Sequence, residues 1–264
     1  CSLMLGKLLK YDLRSMLKQF AFIWPAALVM AVVNRFTIGL LDSGDTFPEL
    51  VSGMSMLIYV FILMALYVVS LLFIIQRFYK GLLGDEGYLM FTLPVKSWQL
   101  VLSKFLCALI TTIISVLVAA LSICILAPLN FSDIGAFFRV LASFDGQIAV
   151  LFLEVLILSL AALSYMYLEF YLSMAIGHLF NKHRVLISVV AFLAIGVVMN
   201  IITTLVGVTA IEVGTEFFMD LVMGAGEWAA WHTAVWSLIA YTVIPAAVFF
   251  FITNYILKHR LNLE

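Results

Sequence analysis

The stretch GLLGDEGYLMFTLPVKSWQLVLSK, residues 81–104, is a charge-bearing interruption between two strongly apolar blocks. Asp85 and Glu86 open its polar part, a glycine follows, and Pro94 ends a short apolar run. Because proline cannot continue a helix, this order predicts a brief helix that stops before a second helix begins. A segment that only joins two spans does not need such a helix, so we expect it to contact other machinery.

The composition is that of a membrane protein. Of the 264 residues, 65% are hydrophobic and 11% charged, whereas a soluble domain is roughly 45–50% apolar. One soluble core cannot hide this excess, and several runs reach the roughly 20 residues that a helix needs to cross the bilayer. The formal net charge of -1 shows no basic footprint for nucleic acid. We therefore expect an all-α polytopic protein whose surroundings are the lipid bilayer.

Six apolar runs are candidates for transmembrane helices. They cover residues 20–40, 54–75, 104–126, 148–180, 185–208 and 231–257. No composition shift marks a soluble domain, so residues 1–264 are predicted to form one transmembrane domain.

The basic residues orient these spans. All 14 Lys and Arg except Arg35 and Arg139 fall on one side of the predicted membrane, and many acidic residues collect on the other. The positive-inside rule therefore predicts that both termini are cytosolic. Residues 209–231 form the longest external connection, and their mixture of acidic and large apolar side chains predicts short helices at the outer interface.

The N-terminal residues 5–19 have the pattern of an amphipathic helix, with leucines and methionine at helical spacing on one face. The other face is predicted to carry Lys7, Lys10, Asp12, Arg14 and Lys18. We expect this helix to lie at the membrane interface, either as a basic flank that holds the first span at the cytosolic leaflet or as a docking site for a cytosolic partner.

Motifs of catalysis and cofactor binding are missing from the sequence. No GxxxxGK[ST] loop is present, so any ATP must be bound by another chain. The histidines form no HExxH arrangement, and no GxSxG elbow occurs. We expect no enzyme activity, cofactor or metal in this chain itself.

Two carboxylates lie inside the fourth apolar run, where an ionised side chain is costly and indicates a polar interior or a pathway. Glu154 and Glu169 are separated by about 22 Å along a helix, too far to act as a catalytic pair. Glu154 is expected near the outer headgroups. For Glu169 two interpretations stay open: a structural contact with Tyr or Ser hydroxyls across a subunit interface, or a contact with substrate or proton.

The stretch QRFYKGLLGDEGYLMFTLPVKSWQLVLSK, residues 76–104, resembles the first cytosolic loop of the six-span permease subunits of bacterial ABC exporters. The matching positions are Asp85, Glu86, Gly87, Tyr88, Leu89, Thr92, Leu93, Pro94 and Lys104. In that family the segment forms a coupling helix, so the resemblance implies that residues 81–103 dock on a cytosolic ATPase. The amphipathic N-terminal helix is also similar to the family.

Two more stretches resemble the same family. HLFNKHR precedes the fifth span and contains Asn181, Lys182, His183 and Arg184, a second cytosolic contact, and TNYILKHRLNLE ends the chain. The resemblance implies a type V arrangement in the bacterial plasma membrane: two permeases, identical or paralogous, pair with ATPase subunits that bind ATP and Mg²⁺. The substrate class it implies is apolar or amphiphilic, such as a peptide, a lipid-like molecule or an antibiotic.

Two other functions stay open on the sequence. One is a proton-coupled secondary carrier that uses Glu169 and His178, although about 13 Å of helix separates these side chains and excludes a direct relay. The other is a membrane scaffold or sensor without transport, because no substrate site can be identified from the residues alone.

Overall fold

The computed structural model describes residues 2–39, 46–83, 95–126, 146–180 and 182–259, and within these ranges it contains helices and no strands. The α-helices are α1 (Ser2–Phe20), α2 (Ile23–Gly39), α3 (Thr46–Phe78), α4 (Ser97–Leu126), α5 (Gly146–Gly177), α6 (Arg184–Ala225) and α7 (Glu227–His259). A five-residue π-helical turn, Tyr79–Leu83, follows α3. The predicted all-α class is confirmed.

Within the described ranges, six helical segments are long and apolar enough to cross a membrane. The first, Leu5–Thr37, takes in α1 and α2, and each of the other five falls on one of the helices α3 to α7. Helices suit this environment because each satisfies its own backbone hydrogen bonds where no water is available. The predicted number of spans is confirmed.

The helices cluster into two units. The N-terminal unit comprises Cys1–Arg77 and Leu102–Ser143, and the C-terminal unit comprises Phe78–Val101 and Phe144–Glu264. The first five residues of α4, Ser97–Val101, fall in the C-terminal unit, and the rest of that helix falls in the N-terminal unit. The single transmembrane domain stays a prediction.

Aromatic and hydroxyl side chains hold the N-terminal unit together. Phe20 is fully buried where α1 turns into α2, with its ring centroid 5.2 Å from that of Trp24 and 5.5 Å from that of Phe73. Trp24 Nε1 donates a 3.1 Å hydrogen bond to Ser115 Oγ. Since both ends of the Trp24 ring find partners, burial of this large side chain leaves no polar atom unsatisfied.

In the C-terminal unit, α5 packs against both α6 and α7. Gly177, the last residue of α5, allows the closest approach, because a Cβ there would lie 2.7 Å from the Arg184 carbonyl oxygen and would also collide with Ser188 Oγ. Further along, the rings of Phe170 and Phe192 stack with centroids 4.8 Å apart. These contacts hold the start of α6 on the end of α5.

The helix ends differ from two predictions. In place of short helices over residues 209–231, α6 continues without interruption to Ala225, and the chain breaks at Gly226, whose φ of 90° suits glycine alone. The predicted segment contains no proline, so nothing before Gly226 interrupts the backbone ladder. α4 begins at Ser97, well before the predicted start at residue 104. The polar residues of its first turn therefore belong to the helix.

Candidate functional site

The predicted coupling residues divide into two sets. Asp85, Glu86, Gly87, Tyr88, Leu89, Thr92, Leu93, Pro94 and Asn181 lie outside the described residues. Lys104 and residues 182–184 are described, and so are the two helix ends that flank residues 84–94. We call these two helix ends the base of the predicted coupling segment.

The part of the base that precedes residue 84 is held by aromatic contacts to α5. The ring of Phe78 is fully buried and stacks on that of Tyr171, with centroids 3.9 Å apart and planes 9° from parallel. The π-helical turn then begins at Tyr79, whose ring lies 5.0 Å from that of His178, and it ends with Leu82 and Leu83 buried.

On its second side, the base is held by hydrogen bonds. Ser97 Oγ, at the first residue of α4, donates to Asn254 Oδ1 on α7 over 2.8 Å. Gln99 Oε1 accepts the backbone N–H of Lys96 at 3.3 Å, which satisfies a donor that the start of a helix leaves free. Both sides of the base are thus bound to helices of the C-terminal unit.

A buried ion cluster lies in the N-terminal unit. Asp12 Oδ1 on α1 accepts hydrogen bonds of 2.6 Å from Arg77 Nη2 on α3 and from Lys104 Nζ on α4. Ser103 Oγ donates to the other carboxylate oxygen at 3.4 Å. One carboxylate between two cations links three helices, and Lys104, only 3% exposed, makes its ionic contact inside the chain.

Asp12 is a residue that we assigned to the wrong face of α1. Its side chain is buried, together with Met16 and Phe20 at the following helical turns. The spacing of these three positions, four residues apart, was the available signal, and the negative charge obscured it. The four predicted basic residues of α1 are exposed: Lys7, Lys10, Arg14 and Lys18.

The second predicted contact, the turn before α6, lies on the surface. Lys182 and His183 are exposed, and His183 adopts a φ of 56°, the left-handed conformation that reverses the chain direction. His183 and Arg184 line an open hollow of about 600 Å³ with apolar residues of the first turns of α6. This surface is accessible for a partner.

His178 lies between this turn and the base of the coupling segment. The side chain is 6% exposed, and among the described residues its Nε2 has no hydrogen-bond partner. Burial lowers the pKa of His178, and the nearby positive charge of Arg184 lowers the pKa further. The imidazole is therefore kept neutral near physiological pH.

Glu154 is fully partnered on α7. Its Oε2 lies 2.8 Å from His232 Nδ1, and its Oε1 accepts the Trp236 Nε1 hydrogen at 2.8 Å. The carboxylate is buried and serves as a polar contact between α5 and α7. Sequence reasoning missed these partners because they lie 78 and 82 residues away.

Glu169 lies beside a polar cavity within the C-terminal unit. Its Oε1 is 3.9 Å from the position of a Cβ on Gly196, and its side chain is 7% exposed. The cavity, about 270 Å³, is lined by Tyr165, Gly196, Met199, Asn200, Thr203, Tyr241 and Thr242, and we call it the Glu169 groove. Tyr165, Thr203, Tyr241 and Thr242 supply hydroxyls to this lining, and the contact of Glu169 with hydroxyls across a subunit interface stays a prediction.

The described part of the chain contains no group of three or more His, Cys, Asp or Glu residues that could hold a metal ion. No protein-family model matches the chain, and no curated protein or solved structure matches it. The candidate site consequently rests on its own geometry: the base of the coupling segment, the turn before α6 and the Glu169 groove.

Proposed function

We propose that this chain is the membrane-spanning permease subunit of an ABC exporter in the bacterial plasma membrane. It moves an apolar or amphiphilic substrate outward, and a separate cytosolic ATPase that binds ATP and Mg²⁺ drives the movement. The chain itself has no enzymatic role. A second copy or a paralogue completes the pathway.

The attachment of both sides of the coupling base to the C-terminal helices carries this proposal. Phe78 stacks on Tyr171 of α5 before the segment, and Ser97 is bonded to Asn254 of α7 after it. An ATPase can act on a permease only through a rigid element outside the membrane. A force on residues 84–94 would therefore reach α5 and α7 directly.

The charge distribution supports the same assignment. The positive-inside rule places the coupling segment, the turn before α6 and the basic face of α1 on the cytosolic side. Asp85 and Glu86 at the start of a short helix favour its dipole and offer acceptors for basic groups of the ATPase.

Isolation of the tagged protein from native membranes tests the proposal. We expect an ABC ATPase to co-isolate, and we expect Asp85→Lys with Glu86→Lys to abolish this association while the helical content is retained. The matched control is Asp42→Lys with Asp45→Lys, two acidic residues on the predicted outer side. Absence of any ATPase from the native preparation, or full association in the first double variant, would contradict the proposal.

A proton-coupled carrier is the second candidate, and the burial of Glu169 beside a polar cavity favours it. In vesicles that contain only this chain, a pH gradient would then drive flux, and Glu169→Gln would remove it. Flux that requires ATP and is unaffected by the gradient would exclude this candidate.

A further inference from the structure

The two carboxylates of α5 have opposite environments. Glu154 Oε1 accepts the Trp236 Nε1 hydrogen, and Glu154 Oε2 lies 2.8 Å from His232 Nδ1. Glu169 is only 7% exposed. Its carboxylate forms no hydrogen bond or ion pair with another described residue. A buried ionised carboxylate without a partner is costly, so a positive group beside Glu169 would stabilise its ionised form.

Cations of the same three helices are too distant to serve. Arg184 is about 18 Å along α6 from Gly196, and Lys258 is about 24 Å along α7 from Thr242. His178 is about 13 Å from Glu169 along the chain. None of these three groups can therefore reach the Glu169 carboxylate.

The groove lining suits a protonated amine. Tyr165 lies one helical turn before Glu169 on the same face of α5, and Tyr241 lines the groove from α7. Aromatic faces attract cations. Asn200 adds an amide oxygen that can accept from an ammonium, and Thr203 and Tyr241 are hydrogen-bonded to each other.

The surroundings of the groove suit an amphiphile. Asn200 and Thr203 are exposed, so the groove is open along α6, and the neighbouring Val197 and Ile201 present exposed apolar surface at membrane depth. A volume of about 270 Å³ accepts a small head group while an apolar tail lies outside along α6.

We propose that the Glu169 groove binds the ammonium group of an amphiphilic amine, with Glu169 as counter-ion and the tyrosines as aromatic walls. This inference rests on the proposed export function and names its substrate class. The inference also connects the amine site to the predicted contact with the ATPase. Tyr171, which stacks on Phe78 at the coupling base, lies on α5 two residues from Glu169. Movement of α5 by the ATPase would displace the counter-ion from the groove.

Saturation-transfer NMR on the purified chain in lipid nanodiscs tests the site with phenethylammonium as probe. We expect saturable binding of phenethylammonium and at least tenfold weaker binding of 2-phenylethanol, which has the same shape without the charge. Glu169→Gln should weaken the binding of phenethylammonium at least tenfold. Glu154→Gln, the same change on the same helix outside the groove, should alter it less than twofold.

A second variant keeps the charge and fills the groove. Gly196→Met should remove amine binding, because its side chain would extend from a lining position beside the Glu169 carboxylate. Equal binding of the alcohol and the amine, or undiminished binding in Glu169→Gln or Gly196→Met, would overturn the inference. The assay contains no ATPase, so its failure leaves the exporter proposal standing, and failure of ATPase co-isolation leaves the amine site standing.

Discussion

Lys104 Nζ lies 2.6 Å from Asp12 Oδ1, although 92 residues separate them in sequence. Arg77 approaches the same oxygen at 2.6 Å, so a single carboxylate links α1, α3 and α4. A buried carboxylate is tolerated when cations surround it, and each cation depends on it in return. The contact therefore attaches the buried face of α1 to α3 and α4 within the N-terminal unit, while its basic face stays exposed.

Asp12→Asn is expected to destabilise the protein by about 3–5 kcal/mol, because it leaves Lys104 buried without its counter-ion. Arg77 is 16% exposed and can be partly solvated, which favours the lower end of this range. Chemical unfolding in detergent measures the difference. Lys7→Gln on the exposed face of α1 is the control and should change stability by less than about 0.5 kcal/mol.

Asp12→Leu combined with Arg77→Met and Lys104→Met should recover part of the lost stability, since a buried ionic cluster can be replaced by apolar groups of similar size when every member is replaced. An Asp12→Asn variant that unfolds like the wild type would show that the cluster is not coupled to folding.

Gly177→Ala is expected to cost about 1–3 kcal/mol, because the new methyl group would lie 2.7 Å from the Arg184 carbonyl oxygen and force α5 and α6 apart. Thermal unfolding measures this change. Gly53→Ala is the matched control, since a Cβ there meets nothing within 4 Å and should stabilise α3 by about 0.5–1 kcal/mol. Equal effects at the two glycines would contradict the close packing of α5 on α6.

Trp236→Phe keeps the aromatic packing and removes the Nε1 hydrogen that Glu154 accepts. We expect a loss of about 1.5–3 kcal/mol, the range for a hydrogen bond to a charged group. Trp231→Phe, at a tryptophan 56% exposed on the same helix, serves as control. A double-mutant cycle with Glu154→Gln should show strong coupling to Trp236 and none to Trp231, and additive effects at Trp236 would disprove the contact.

His178 predicts a pH dependence of stability. Its pKa is lower in the folded protein than the ordinary value of 6.5, so the unfolded chain takes up the proton first as the pH falls. The contribution of neutral His178 to the free energy of unfolding is complete above about pH 6.5. This contribution is lost as the pH falls toward the pKa of His178 in the folded protein. Melting temperatures between pH 7.5 and about pH 5 measure this loss.

In His178→Gln the melting temperature should decrease less on acidification than it does in the wild type. His259→Gln, at an exposed position near the end of α7, should leave the wild-type profile unchanged. Identical profiles for all three proteins would refute the role of His178.

The spacing of apolar residues and the positions of the charges predicted α1 correctly, except for the face on which Asp12 lies. Helical spacing of apolar residues indicated the helix, and the exposed positions of Lys7 and Lys10 agree with the predicted basic face. Asp12 could not be assigned from the same pattern, because a carboxylate is buried only when cations are brought to it by other helices. Those cations come from α3 and α4.

The two glutamates of α5 illustrate the same limit. Sequence indicated both Glu154 and Glu169 as unusual for their depth, since charge is rare in apolar runs. Only the packing of α6 and α7 on α5 distinguishes them: the Glu154 carboxylate pairs with His232 and Trp236, and the Glu169 carboxylate lies beside Gly196, which lines the groove.

The amino-acid sequence by itself determined the helical class and the number of membrane-length segments, because the backbone in lipid must satisfy its hydrogen bonds within each helix and a run of about 20 apolar residues suffices for that. It also predicted the orientation from the distribution of basic residues. Only the tertiary structure decided which polar groups meet, namely Asp12 with Lys104, Glu154 with Trp236 and Ser97 with Asn254. Such contacts depend on interhelical packing, which local periodicity does not encode.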